Sequence, residues 1–235
     1  MGERWALLII RDLLVSDQRF SDLKRGLPRI PTNILTNRLT ALQDAGVIER
    51  KLLDTPRKSV VYTLTEYGHG LEEIVLALGR WGAQLLGEVH PDEIVTPESL
   101  VMALRSTFRP EAAAKNSASF EIRVGNEIVL HALIHEGRLS VQPGPYPGAQ
   151  LTTTTGPAIR AVMAGEIAPA IAVSSGAVSL SGDELPFEKF ATYFRIGAIS
   201  TKAYSVALRS QCDPGRSPRA DARSSGNSAG AAANF

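Results

Sequence analysis

The sequence predicts a mainly α head carrying a β-wing, followed by an α+β domain with a largely antiparallel sheet. Three observations lead there. The first part of the chain runs through helix-periodic segments and closes on two β-rich runs around a polar tip. The middle is a series of short alternating runs and helical segments separated by turn signals. The charge is also segmented. The chain as a whole is at +1, with 25 Lys and Arg against 24 Asp and Glu. Yet it carries a net of +2 through Gly87, −4 from Glu88 to Gly197 and +3 from Ala198 onward.

These shifts divide the chain into a head (1–88), a linker (89–97), a second domain (98–198) and a tail (199–235). The linker contains His90-Pro91-Asp92 and runs into Thr96-Pro97-Glu98, prolines that interrupt helices or sit in their first turn. After Tyr204 the tail turns to Ser, Gly, Ala, Arg and Pro, with Phe235 as its one aromatic. It lacks the apolar density that offsets the entropy of ordering and is expected to be largely disordered. The single cysteine, Cys212, rules out a disulfide framework and a Cys-rich zinc site. It is expected to be incidental, since nothing nearby lowers its pKa. No apolar run approaches the roughly 20 residues of a membrane span. Trp5 to Ile10, closed by Arg11 and Asp12, is too short for a signal peptide. A cytoplasmic protein is the expectation.

In the head, Trp5 to Leu14 is dense in Leu and Ile and reads as a buried helix. Phe20 to Lys24 is a short amphipathic piece ended by Gly26 and Pro28. On a wheel of Thr32 to Ala45, Ile34, Leu35, Leu39, Ala41, Leu42 and Ala45 fill one arc. Thr32, Asn33, Thr36, Asn37, Thr40, Gln43 and Asp44 fill the other, and Gly46 stands at the usual C-terminal position. Exposed helix faces are ordinarily Lys- and Glu-rich, whereas Thr and Asn are poorer helix formers. Short amides and hydroxyls suit a face that must lie close to base edges, where Asn pairs with adenine and the Thr methyl meets thymine. A plain surface helix with capping residues at its start is the alternative. Arg38 falls in the apolar arc. A structural pair with a carboxylate such as Asp12 or Asp22 is favoured over a stem that runs along the core to a phosphate.

Val47 to Leu53 and Val60 to Leu64 flank the tip Asp54 to Ser59, and make a hairpin. Arg57 and Lys58 at that tip suit a phosphate or a minor groove. A readout helix followed directly by a basic hairpin is the winged helix-turn-helix arrangement.

The stretches GERWALLIIRDLL, RFSDLKRGLPRIPTNILTNRLTALQDAGVIER and VVYTLTEYGHGL resemble the HxlR-type transcriptional regulators, in order and nearly without gaps over Gly2 to Gln84. The resemblance implies a dimeric, sequence-specific protein binding double-stranded DNA, with a recognition helix beginning near Thr32. Members usually carry a helix and often a redox-active cysteine ahead of this segment. Here Met1 stands almost on the motif, a departure that touches part of the usual dimer interface and any thiol switch. Leu71, Ile74, Leu78, Trp81 and Leu85 are spaced three, four, three, four, an a/d seam of two heptads. A partner helix in a homodimer is preferred over packing within the head.

From Pro97 to Gly197 the chain reads helix, strands, two helices, strand, helix. Leu100 to Leu104 belongs to the first helix. Phe120 to Val124, Ile128 to Ile134, Arg138 to Val141 and Leu151 to Thr154 form a sheet, turning at Gly125-Asn126 and Glu136-Gly137. Pro157 to Ala164 is a helix, Ala177 to Leu180 a strand, and Leu185 to Phe194 a helix with Phe187, Phe190 and Phe194 on one stripe. Helices over one antiparallel sheet make this α+β. LTTTTGPAIRAVMAGEIAPAIAVSSGAVSLSGDELPFEKFATYF resembles the later half of sterol-carrier-protein-type lipid-binding domains. The features are Gly165, the helical turn Pro169 to Ala172, Gly176 and Gly182-Asp183. The resemblance implies helices and a sheet over a hydrophobic tunnel, and the phenylalanine stripe is the candidate lining.

No catalytic constellation stands out, and neither an enzyme nor a cofactor is expected. His131 and His135 in an extended strand are about 13 Å apart at about 3.3 Å per residue, too far for one metal ion. Thr152 to Thr155 is read as an edge or strand end. The expected function is transcriptional regulation controlled by a hydrophobic small molecule. The alternatives are a second domain that is only structural or dimerising, and a lipid carrier.

Overall fold

The computed structural model describes residues 4–53, 59–84, 94–125, 127–156, 158–182 and 186–197. In the head, α1 (Arg4–Leu13), α2 (Phe20–Gly26) and α3 (Thr32–Asp44) precede the hairpin β1 (Ile48–Leu53) and β2 (Ser59–Leu64). Ile9, Ile10 and Leu13 of α1 are buried with Leu23 of α2, Ile30, and Leu35, Leu39 and Leu42 of α3. The hairpin register pairs Ile48 with Leu64 and Leu53 with Ser59. Gln18, between α1 and α2, exchanges both backbone bonds with Tyr62 at 3.0 and 2.7 Å, which ties the wing to the helical core. After the wing come α4 (Glu66–His69) and α5 (Glu72–Ala83).

The second lobe begins with α6 (Pro97–Thr107) and α7 (Pro110–Ala113). Pro97 occupies the first turn of α6, and Thr96 and Ser99 satisfy each other's backbone N–H in a capping box. There follow β3 (Ser117–Val124), β4 (Ile128–His135), β5 (Arg138–Pro143) and β6 (Leu151–Thr155). The chain closes with α8 (Ala158–Ala164), α9 (Pro169–Ser174), β7 (Val178–Ser181) and α10 (Phe187–Tyr193). The tail 199–235, with Cys212, lies outside the described residues.

The sheet is mixed rather than purely antiparallel. Its order is β5-β4-β3-β6-β7, and β6 runs parallel to β3. The reason is a strap, residues 144–150, that crosses the sheet face opposite the helices. Tyr146 donates its N–H to Glu121 at 2.7 Å, its ring stacks on His131, and Gly148 accepts from the Ser119 hydroxyl. By crossing β4 and β3 the strap delivers β6 alongside β3 in the same direction. Glu121, buried beneath it, is also paired with Arg123 at 2.6 Å. β6 is therefore an interior strand and not an edge, with Thr153 fully buried.

The helices and strands of the described residues belong to one compact unit. Two apolar cores meet at α6, which sends Met102 into the head and Val101 and Leu104 into the second lobe. Arg105 of α6 donates to the Leu14 carbonyl at 3.1 Å and forms an ion pair with Glu72 of α5. Gly79 lets α5 approach α6, since a Cβ there would lie 3.1 Å from the Ser106 Cβ. Asp12 sits at this junction, fully buried, with one oxygen held by Arg11 at 2.6 Å and the other without a hydrogen bond. Burial pushes its carboxyl up from 3.8 to about 6, against the pull of Arg11, and Glu98 adds to the rise.

A carboxyl that binds its proton more tightly when folded stabilises the fold below the unfolded pKa. That contribution is lost as pH rises through about 6. Asp12→Asn keeps a neutral acceptor for Arg11 and should flatten this slope. Urea titrations should find the variant more stable near neutral pH by about 1–3 kcal/mol, with little difference near pH ~4. A wild type whose stability does not fall between those two pH values would contradict the assignment.

Candidate nucleic-acid interface

Helix α3 is anchored from one side. Leu35, Leu39 and Leu42 are buried and Ile34 packs against the same core, while Thr32, Asn33, Thr36, Asn37 and Thr40 are exposed. Ala41 and Ala45, placed on the apolar arc by the wheel, are exposed as well. The arc that actually packs is narrower, because small side chains at its margin do not reach the core. The turn ahead of α3 is held by Lys24, whose ammonium donates to the Ile30 carbonyl at 2.6 Å and the Pro28 carbonyl at 3.2 Å. Thr36 donates its hydroxyl to the Thr32 carbonyl at 3.0 Å and so presents its methyl outward.

Arg38 is half-buried. Of the carboxylates named as examples, Asp12 pairs with Arg11 at 2.6 Å and Asp22 with Arg25 at 3.3 Å. Arg57 and Lys58 lie outside the described residues. On the described part of the wing, Arg50 is exposed and lies over the Tyr62 ring at 5.9 Å. Strand period gives no sign of this exposure, since Arg50 stands two residues from the buried Ile48 and on the same side of β1. Thr40 was on the polar arc and extends the exposed row by one turn.

The family model described as HxlR-like helix-turn-helix matches residues 1–90, the segment from α1 through α5. The HTH-type transcriptional regulator YtcD of Bacillus subtilis (strain 168) is 35% identical over 102 residues, covering 43% of this chain and 81% of YtcD. The chain belongs to the HxlR-like family. YkvN of the same organism is 32% identical over 103 residues, covering 43% of this chain and 87% of that protein. The solved reduced form of YodB from B. subtilis is 31% identical, covering 38% of this chain and 87% of that one, with a TM-score of 0.34.

On this family segment the expected seam is divided by the structure. Leu71 precedes α5 and packs into the head's core, beside Val75 and the buried Leu76. Ile74, Leu78 and Trp81 face outward, exposed by 54%, 46% and 64%. Leu85 lies outside the described residues. The helix turns its Val75 and Leu76 side inward, so Leu71 aligns with that side and leaves three residues on the outer one.

In the second lobe the phenylalanine stripe is core. Phe187, Phe190 and Phe194 are buried, and Phe120 meets Phe190 edge-on at 5.5 Å. The hollow space lies elsewhere. A cavity of about 370 Å³ opens between α5, α6 and α8, with Leu100, Met102, Ile159 and Met163 among its walls. Next to it lies a chamber of about 40 Å³ whose lining is entirely hydrophobic, with Leu104, Ile122, Leu130 and Phe190 at its deep side. Of the stripe, only Phe190 lines this space. Phe187 stacks on Phe190 at 5.7 Å, and Phe194 meets Phe108 at 5.8 Å and Phe120 at 6.3 Å, so both are taken up by core packing.

His131 and His135 each have a local partner, the Gly144 carbonyl and the Ser117 hydroxyl, both at 3.0 Å. Among the described residues no group of three His, Cys, Asp or Glu could hold a metal ion. Nor is any described helix long and apolar enough to cross a membrane.

The opposite fates of neighbouring α3 residues can be measured. Leu39→Ala should cost about 2–5 kcal/mol by leaving a cavity under the helix. Thr40→Ala, one residue on, should stay within about 0.5 kcal/mol. Comparable losses in urea titrations of the two variants would mean that α3 is rotated about its axis.

Proposed function

We propose that this chain is a homodimeric, sequence-specific, double-stranded DNA-binding transcriptional regulator whose second lobe holds a hydrophobic ligand that alters DNA binding. The observation that carries the first half is the exposed Thr and Asn face of α3, held outward by three buried leucines. Thr32, Asn33, Thr36 and Asn37 are the residues assigned to base edges, and Arg57 and Lys58 at the wing tip to backbone phosphates or the minor groove. The names of YtcD and YkvN, both HTH-type transcriptional regulators, support this reading.

The dimer is assigned to the outer face of α5. Ile74, Leu78 and Trp81 are three large apolar side chains on one helix, and a second copy covering them removes that surface from water. Two copies would then place their α3 helices on half-sites about one DNA turn apart. The ligand reading is supported by the apolar space beside α6 and by the resemblance to sterol-carrier-type domains after Leu151. This favours a binding lobe over a purely structural one. A lipid carrier without DNA recognition would select no sequence from random duplexes.

Asn37→Ala should weaken specific binding by about 1–3 kcal/mol and largely spare nonspecific binding. Gel shifts on matched and scrambled duplexes measure both, and equal losses on the two would remove α3 from base readout. Trp81→Glu places a charge where a dimer would exclude water, which is unfavourable. Sedimentation should show more monomer with the fold retained. An unchanged dimer would move the interface off α5.

A further inference from the structure

The cavity between α5, α6 and α8 adjoins a second hollow of about 410 Å³, with Ala83, Ser106, Thr107 and Ile196 common to both. The chemistry changes from one end of this series to the other. The innermost chamber is hydrophobic on every side. The outermost hollow has Arg80, Arg109 and Arg195 on its walls and one carboxylate, Glu111. The three arginines come from α5, from the residue ahead of α7, and from the segment after α10. Three converging cations repel one another, and an anion between them relieves that repulsion.

Among the described residues Glu111, the carboxylate on that wall, is in no ion pair with any of the three. Arg80, Arg109 and Arg195 are exposed and in no ion pair there, whereas Arg11, on the wall of the middle cavity, is engaged by Asp12. Their backbones are nonetheless held in place. The Arg109 N–H donates to the Tyr193 carbonyl at 2.8 Å and the Arg195 N–H to the Thr107 carbonyl at 2.9 Å. Gly165 leaves room for the Arg195 guanidinium, which a Cβ at that position would approach to 3.1 Å.

We propose that this composite space is an effector site for an anionic amphiphile. Its acyl chain lies in the cavity between α6 and α8, and its phosphate or carboxylate head lies among Arg80, Arg109 and Arg195. This rests on the reading that the second lobe holds a hydrophobic ligand, and adds the head-group chemistry and the route to the DNA. Arg80 is next to Trp81 on α5, the helix whose outer face carries the assigned dimer contact. A head group bound by Arg80 therefore bears on the element that sets the spacing of the two readout helices. By linkage, operator DNA must change the amphiphile's affinity by the same factor as the amphiphile changes that of the operator.

Calorimetric titration of the full chain tests this with decyl phosphate, decanoate, decyl alcohol and decyltrimethylammonium, each below its micelle-forming concentration, and with inorganic phosphate. Decyl phosphate or decanoate should bind saturably, one per chain, and whichever binds more tightly identifies the head. Decyl alcohol should be about tenfold weaker, the value of a charge-assisted contact, and the ammonium compound weaker still. Inorganic phosphate should be far weaker, since each buried methylene adds about fourfold. Arg80→Gln and Arg195→Gln should each lower affinity for the anion about tenfold while leaving that for decyl alcohol unchanged, which also checks folding.

Equal binding of anion and alcohol, or arginine variants without effect, would overturn the head-group site and leave the hydrophobic-ligand reading standing. No saturable binding by any amphiphile would overturn both. Arginine-dependent binding with unchanged operator affinity would uphold the site and overturn its regulatory role.

Discussion

Helix α6 belongs to two cores at once, and the relation between the helix-turn-helix head and the sheet lobe depends on that. Val101 and Leu104 share one face by their i, i+3 spacing and are buried against the sheet. Met102 and Arg105 share the adjacent face. Met102 enters the head's core, and Arg105 bonds the Leu14 carbonyl and Glu72. A helix buried on two sides cannot tilt toward one lobe without opening the other, because interiors are packed to near-crystal density. Gly79 brings α5 close to α6 on a third front, so the helix with the exposed apolar row is coupled mechanically to both lobes.

The same junction concentrates polar groups in an otherwise apolar setting. Asp12, Arg11, Gln18 and Glu98 lie together, with Gln18 reaching Glu98 at 3.4 Å and one Asp12 oxygen unmatched. A buried carboxylate is an expensive way to hold two lobes together, since desolvation offsets much of the gain from its ion pair.

The Thr- and Asn-rich side of α3 shows how tertiary packing overrides local preference. These residues are indifferent helix formers, and the helix is held by Leu35, Leu39 and Leu42 together with the Lys24 bonds to the preceding turn. Because stability comes from the inner side, the outer side is free to carry chemistry suited to a binding partner. Among the described residues the head keeps its charged groups mostly off that row, where Asn and Thr can approach a surface without a tightly held hydration shell.

The elements of the head were legible because their periodicities are local. The arc of Leu35, Leu39 and Leu42, the Gly46 stop and the two β-rich runs each depend on neighbours a few residues away. The strands Phe120 to Val124 and Ile128 to Ile134 alternate for the same reason, with Glu136-Gly137 between β4 and β5 both at positive φ. What only the tertiary structure decided were relations between distant segments. The direction of β6 depends on a strap whose anchors, Glu121 and His131, carry no mark of it in the sequence. The Phe187, Phe190 and Phe194 stripe shows helical spacing, but spacing does not distinguish a core from a cavity wall. That distinction depends on which residues of α6, α8 and the sheet fill the space opposite. The division of the α5 row, Leu71 inward and Ile74, Leu78 and Trp81 outward, follows from where α6 packs. Periodicity determines which residues share a face, whereas burial is decided by contacts the chain makes with itself across long separations.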